Sequence, residues 1–117
     1  MRIDVKGRNF AVDDDLRQRV EKRFTRVARQ VSEMATLELE LSEERNPSIR
    51  ESCVAEATLY LKGVTLRARD ASRDFKHSVN LVEEELARQV KRHREKRRKR
   101  RESRAASPRG SDVQPAL

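Results

Sequence analysis

The chain has 117 residues, of which 35% are hydrophobic and 41% charged, with a formal net charge of +8. That length admits one domain of about ninety ordered residues and one modest core. Composition argues against a membrane span, because no apolar run approaches the roughly 18 residues required, and against an internal disulfide, because Cys53 stands alone as in proteins of a reducing cytoplasm.

Ile3 and Val5 alternate with Asp4 and Lys6, the period of a strand, and Gly7-Arg8-Asn9 ends it. Asp13 is placed to cap a helix whose first turn carries Asp14 and Asp15 against the helix dipole. Leu16, Val20, Phe24, Val27 and Val31 recur every three or four residues and form its apolar stripe. Its exposed side carries Arg19, Lys22, Arg26 and Arg29. Leu37, Leu39 and Leu41 then alternate with polar residues, and Asn46-Pro47-Ser48 marks a turn. Ala55 to Lys62 and Val64 to Arg69 alternate again around Gly63, so three strands form an antiparallel meander. Ser72 can cap the last helix, on which Phe75, Val79, Val82, Leu86 and Val90 form a second stripe.

The order β-α-β-β-β-α, with one apolar face per element, predicts an α+β fold. Both helices pack on one face of a four-stranded sheet. The other face, with Thr58, Tyr60, Lys62, Arg67 and Arg69, stays wet. A last helix reaching about Arg101 would be some 45 Å long at 1.5 Å per residue. A ninety-residue body is only about 31 Å across, so the final turns project. The expected organisation is residues 1–94 as the folded domain, 95–104 as a basic helical extension and 105–117 as a disordered tail.

Charge is concentrated. Arg88 to Arg104 holds eleven Lys or Arg and two acids, whereas residues 1–87 carry sixteen basic and seventeen acidic side chains. Such a cation binds polyphosphates by releasing condensed counterions. The candidate RNA-contacting residues are Arg88, Lys91, Arg92 and Arg94 on the last helix, Lys22, Arg26 and Arg29 on the first, and Arg67 and Arg69 on the fourth strand. Carboxylates interleaved with Arg read as surface pairs, and Asp13-Asp14-Asp15 as a helix start. No catalytic constellation, phosphate loop, metal-ligand spacing or cofactor motif is present in the sequence. With four aromatics in the chain, of which Tyr60 is the one stacking candidate, contact with structured RNA through phosphates fits better than readout of single-stranded sequence.

Three motifs carry a resemblance. Gly7-Arg8-Asn9 and the Asp-capped helix with Leu16-Arg17 resemble the GRN…(T/D)xxLR opening of the ribosome hibernation promoting factors, the ribosome-associated inhibitors also called protein Y. AEATLYLKGVTLRARDAS, from Ala55 to Ser72, resembles that family's AEVTL…G…LRA strand pair. DFKHSVNLVEEELARQVKRHR, from Asp74 to Arg94, resembles its DMYAAID…KLERQLRKHK helix. The chain departs from the pattern at Lys76, Asn80 and Glu85, where the family often has Tyr, Asp and Lys, while Arg88, Gln89, Lys91, Arg92 and Arg94 keep its polar and basic character.

The resemblance implies a cytoplasmic stress-phase factor. Such a factor binds the small ribosomal subunit between head and body, over the sites for mRNA and the tRNA anticodon ends, and blocks translation by occlusion. Long members of the family add a C-terminal dimerisation domain; this chain, ending at Leu117, reads as a short form or an N-terminal domain. Two other readings remain. One is a general structured-RNA or nucleoid-binding protein using the basic helix. The other is an interaction adaptor whose basic tail docks an acidic partner.

Overall fold

In a computed structural model the element order is β1 (Arg2–Arg8), α1 (Asp14–Arg23), α2 (Thr25–Ala28), β2 (Thr36–Glu43), β3 (Cys53–Leu61), β4 (Val64–Ser72) and α3 (Phe75–Val113). The structure describes the backbone of residues 1–113 and the side chains of residues 1–103. The strands form one mixed sheet in the order β1-β2-β3-β4. β1 runs parallel to β2 through the α1–α2 crossover, and β2, β3 and β4 form the antiparallel meander.

Alternation decides the core. Leu37, Leu39 and Leu41 on β2 and Ala55, Ala57 and Leu59 on β3 are fully buried under Val20, Phe24, Val27, Val79, Val82, Leu86 and Val90 of the helices. Each fully buried Leu, Val or Phe is worth about 1.5–3 kcal/mol relative to exposure. The α+β architecture and its helix-covered sheet face agree with the sequence reading.

Local differences have physical causes. The first helical stretch breaks into α1 and α2 at Phe24, where φ and ψ are −86° and 8°. Thr25 Oγ1 donates to the Glu21 carbonyl at 3.3 Å, a back-bond that bends helices. The ladder survives the bend, since Phe24 N still donates to Val20 O and Ala28 N to Phe24 O. β1 does not stop at Gly7 but keeps its register to Arg8 opposite Ser42. Gly7 is needed because the chain folds back over it: a Cβ there would lie 2.3 Å from the Phe10 carbonyl oxygen. The return brings Phe10 onto Phe75, with ring centroids 4.6 Å apart. Gly63 turns the β3–β4 hairpin at φ 82°.

Asp74, not Ser72, caps α3. Its Oδ1 accepts from His77 N at 2.7 Å, while Ser72 is the last residue of β4 and bonds His77 Nδ1 at 2.6 Å. Val90 is the last buried residue of α3, and every described side chain from Arg94 onward is exposed. The helix passes the end expected near Arg101, and its backbone continues to Val113, into the stretch 105–117. Residues 114–117 of that stretch lie outside the described residues. The molecule is accordingly elongated, 69 × 30 × 17 Å with a radius of gyration of 19.1 Å, against about 13 Å for a compact chain of this length.

A candidate nucleic-acid interface between the helices

Where α1 and α2 lie beside α3, the helices leave a groove of about 780 Å³. Lys22, Arg23, Arg26, Arg29, Arg88 and Lys91 line it, against two acids, Glu83 and Glu84. The helical spacing of Lys22, Arg26 and Arg29 keeps them on one side of the bent α1–α2 unit, and Arg88 and Lys91 face them from α3.

Glu83 organises the groove floor. It is only 1% exposed, unlike the surface pairs expected for the carboxylates of this helix. Arg26 grips it with both prongs of its guanidinium: Nη2 donates to Oε1 at 2.8 Å and Nε to Oε2 at 3.1 Å. Arg23 adds an ion pair at 3.4 Å and a hydrogen bond to Glu84 at 3.2 Å. The hydrogen bond and charge of Glu83 raise the Arg26 pKa above its ordinary value. This fork fastens α2 to α3, and it occupies much of Arg26's donor capacity inside the protein. Arg88 is also engaged, donating to Glu85 at 2.6 Å. That hydrogen bond, with a second from Gln89, lowers the Glu85 pKa. Lys22, Arg29 and Lys91 make no ion pair among the described residues. They leave the groove with cations available to an external anion.

The remaining sequence candidates are spread out. Arg94 lines a neighbouring cleft with Lys91, Arg97, Arg98 and Arg101, so the basic surface continues along the projecting helix. Arg92 is exposed but does not line the groove. Arg67 and Arg69 lie on the sheet face away from the helices, where Arg67 pairs in register with Thr58 and Arg69 with Glu56. Arg69 there shares a small cleft of about 350 Å³ with Arg8 and Arg45. Arg67 connects to α3 through its backbone alone, its carbonyl accepting from Gln89 Nε2 at 2.7 Å. The structure thus joins the first-helix and last-helix groups and separates the fourth-strand pair.

Sequence reading missed Glu83, Arg23 and Gln30. Residues 79, 83, 86 and 90 share the 4-3-4 spacing of the apolar stripe, so an acid at 83 signals a buried carboxylate that needs a cation opposite. Gln30 borders the groove and the neighbouring cationic cleft, and its buried Oε1 has no hydrogen-bond partner among the described residues. No group of three or more His, Cys, Asp or Glu side chains arranged to hold a metal occurs among the described residues, and no described helix is long and apolar enough to cross a membrane.

Comparison with known proteins gives this surface a family. The chain is 30% identical over 97 residues to the ribosome hibernation promotion factor of Picosynechococcus, covering 82% of this chain and 50% of that protein. It is 32% identical over 114 residues to the factor of the same name from Lactococcus lactis, covering 94% and 57%. The chain therefore spans about half the length of these curated relatives. Among solved structures, the N-terminal domain of Thermus thermophilus Protein Y superposes with a TM-score of 0.69 at 26% identity, over 80% of this chain and 99% of that one. The family model described as Sigma 54 modulation protein / S30EA ribosomal protein matches residues 3–98, which takes in the groove, α1, α2 and α3 as far as the first turns of its projecting segment, and the chain belongs to that family.

Proposed function

We propose that this chain binds the small ribosomal subunit at the mRNA and tRNA decoding channel and inhibits translation by occlusion, as a cytoplasmic hibernation factor of stress or stationary phase. The observation that carries the reading is the cationic groove between α1–α2 and α3, continued by the projecting basic helix. A rigid body with one cationic side suits a ribosomal RNA channel, because phosphate contacts fix position without reading sequence. Occlusion needs no bond chemistry, so the chain acts without a catalytic residue, cofactor or small-molecule substrate. Lys22, Arg29, Arg88 and Lys91 contact rRNA in the groove, with Arg92 and Arg94 extending the contact along α3. Arg26 acts mainly by holding α2 against α3. Arg67 and Arg69 meet RNA only if the channel also closes over the open sheet face. The body of residues 1–94 supplies the specific fit, and the extension of residues 95–104 adds general phosphate affinity.

Co-sedimentation tests the reading. Purified protein should travel with the small subunit and inhibit translation, and excess tRNA and mRNA filling the decoding site should displace it. Replacing Arg88, Lys91, Arg92 and Arg94 by Ala should weaken co-sedimentation and flatten its salt dependence. Failure to associate with the small subunit would sink the proposal. One observation favours a second reading as a general structured-RNA binder: the cations continue through Arg101, beyond the family match that ends at residue 98. Binding to ribosomes that tRNA and mRNA do not displace would favour that reading.

A further inference from the structure

A separate cleft of about 610 Å³ opens where α3 leaves the sheet. Val90, His93, Arg94 and Arg97 line it from one face of α3, so the face that carries the apolar stripe turns cationic there. Val31, Ala35 and Leu61 line it from the body, and all three belong to the hydrophobic core or pack against it. Met34 borders it and is 89% exposed. Tyr60 sits at its sheet end, but strand alternation turns the ring to the open sheet face, where its hydroxyl donates to Glu38 Oε1 at 3.2 Å. The hollow is therefore aliphatic. Lys62, Arg94 and Arg97 stand around it, none of them in an ion pair among the described residues, and no described acidic side chain lines it.

We infer that this cleft docks a segment of a protein partner in which aliphatic side chains sit between acidic ones. The alkyl groups fill the hollow, and the flanking carboxylates meet Lys62, Arg94 and Arg97. Met34 at the mouth is flexible enough to fit side chains of different shape. RNA matches only half of the surface: its phosphates suit the cations, but a nucleobase is held by stacking on a ring, and the hollow offers none. Lys22, Arg29 and Lys91 lie outside the cleft, so docking does not depend on the RNA contact proposed for the groove. Arg94 and Arg97 also line the cationic cleft along α3, so a seated segment covers part of the surface assigned to RNA.

The full chain is titrated, by fluorescence anisotropy, with a dye-labelled peptide that has two leucines between pairs of acidic residues, and with the same peptide carrying serine for leucine. The leucine peptide should bind about tenfold more tightly, the worth of one buried aliphatic side chain. In methyl NMR spectra it should shift the signals of Val31, Met34 and Leu61. Met34→Ser, at an exposed position and without change of charge, should reduce the leucine preference about threefold and leave duplex-RNA binding unchanged. Equal affinity for the two peptides means attraction by charge alone and overturns the docking site, as does a leucine preference that survives Met34→Ser in full. Shifts of those methyls by a single-stranded uridine oligomer, with none from the peptide, overturn it in favour of RNA. Absence of peptide binding overturns it as well. Each of these failures leaves the groove reading standing, because small-subunit co-sedimentation judges that reading separately.

Discussion

Arg26 and Glu83, 57 positions apart in the chain, meet in a two-pronged ion pair at 2.8 and 3.1 Å, with the carboxylate buried and the arginine half exposed. A charge with its partner removed keeps its desolvation cost and loses its compensation. Arg26→Ala, which leaves the buried Glu83 carboxylate without its two-pronged partner, should therefore lower stability by about 1–3 kcal/mol. Urea denaturation reads this directly. Arg26→Ala should cost less in the Glu83→Gln background than alone, and a double-mutant cycle showing simple additivity would mean that the pair is not coupled.

Lys22→Ala with Arg29→Ala should make duplex-RNA affinity less salt-dependent, by about 0.9 in log-log slope for each phosphate no longer neutralised. Arg67→Ala with Arg69→Ala, on the opposite sheet face, should leave that slope unchanged if the duplex lies in the groove. Fluorescence anisotropy at a series of salt concentrations separates the two outcomes. Equal effects from both pairs would show that the binding surface wraps around the sheet.

Gly7→Ala should be destabilising even though β1 is an edge strand. The added methyl would meet the Phe10 carbonyl at 2.3 Å, and backbone cannot yield as a flexible side chain does. Overpacking of this kind costs about 1–3 kcal/mol. The Phe10–Phe75 stacking should loosen with it, since the chain return over Gly7 places Phe10. Thermal unfolding and the NMR shifts of the Phe10 and Phe75 rings measure the two effects.

Burial pushes the Cys53 thiol above its ordinary 9.0, and the nearby Glu43 and Asp74 carboxylates push the same way while a hydrogen bond with Ser52 opposes them. The fold thus favours the neutral thiol over the thiolate that reacts. Below pH 9.0 the group is protonated in both folded and unfolded chains and has little effect on stability; as pH rises past 9.0 the unfolded chain ionises first, and stability falls. At mildly alkaline pH an aromatic disulfide reagent should modify folded Cys53 more slowly than glutathione, and urea should abolish the difference. A folded-state rate equal to that of a free thiol would contradict the assignment.

Two kinds of information shaped this protein. The strands, helices and faces were legible because hydrophobic period is a local property: Leu37, Leu39 and Leu41 mark a sheet face within five residues, and Phe75 to Val90 mark a helix stripe. The concentration of cations after Val90 was legible for the same reason, and with the stripe ending there the helix had to project. Tertiary structure alone decided what depends on distant residues meeting. The parallel pairing of β1 with β2 follows from the crossover, and the burial of Glu83 is tolerable only because Arg23 and Arg26 arrive opposite it. The same packing placed Lys22, Arg29 and Lys91 around one groove, whereas the strand period already set Arg67 and Arg69 on the open sheet face. Side-chain type sets what a residue can bind; which cations act together is set by the packing of α1 and α2 beside α3, and no local period encodes that.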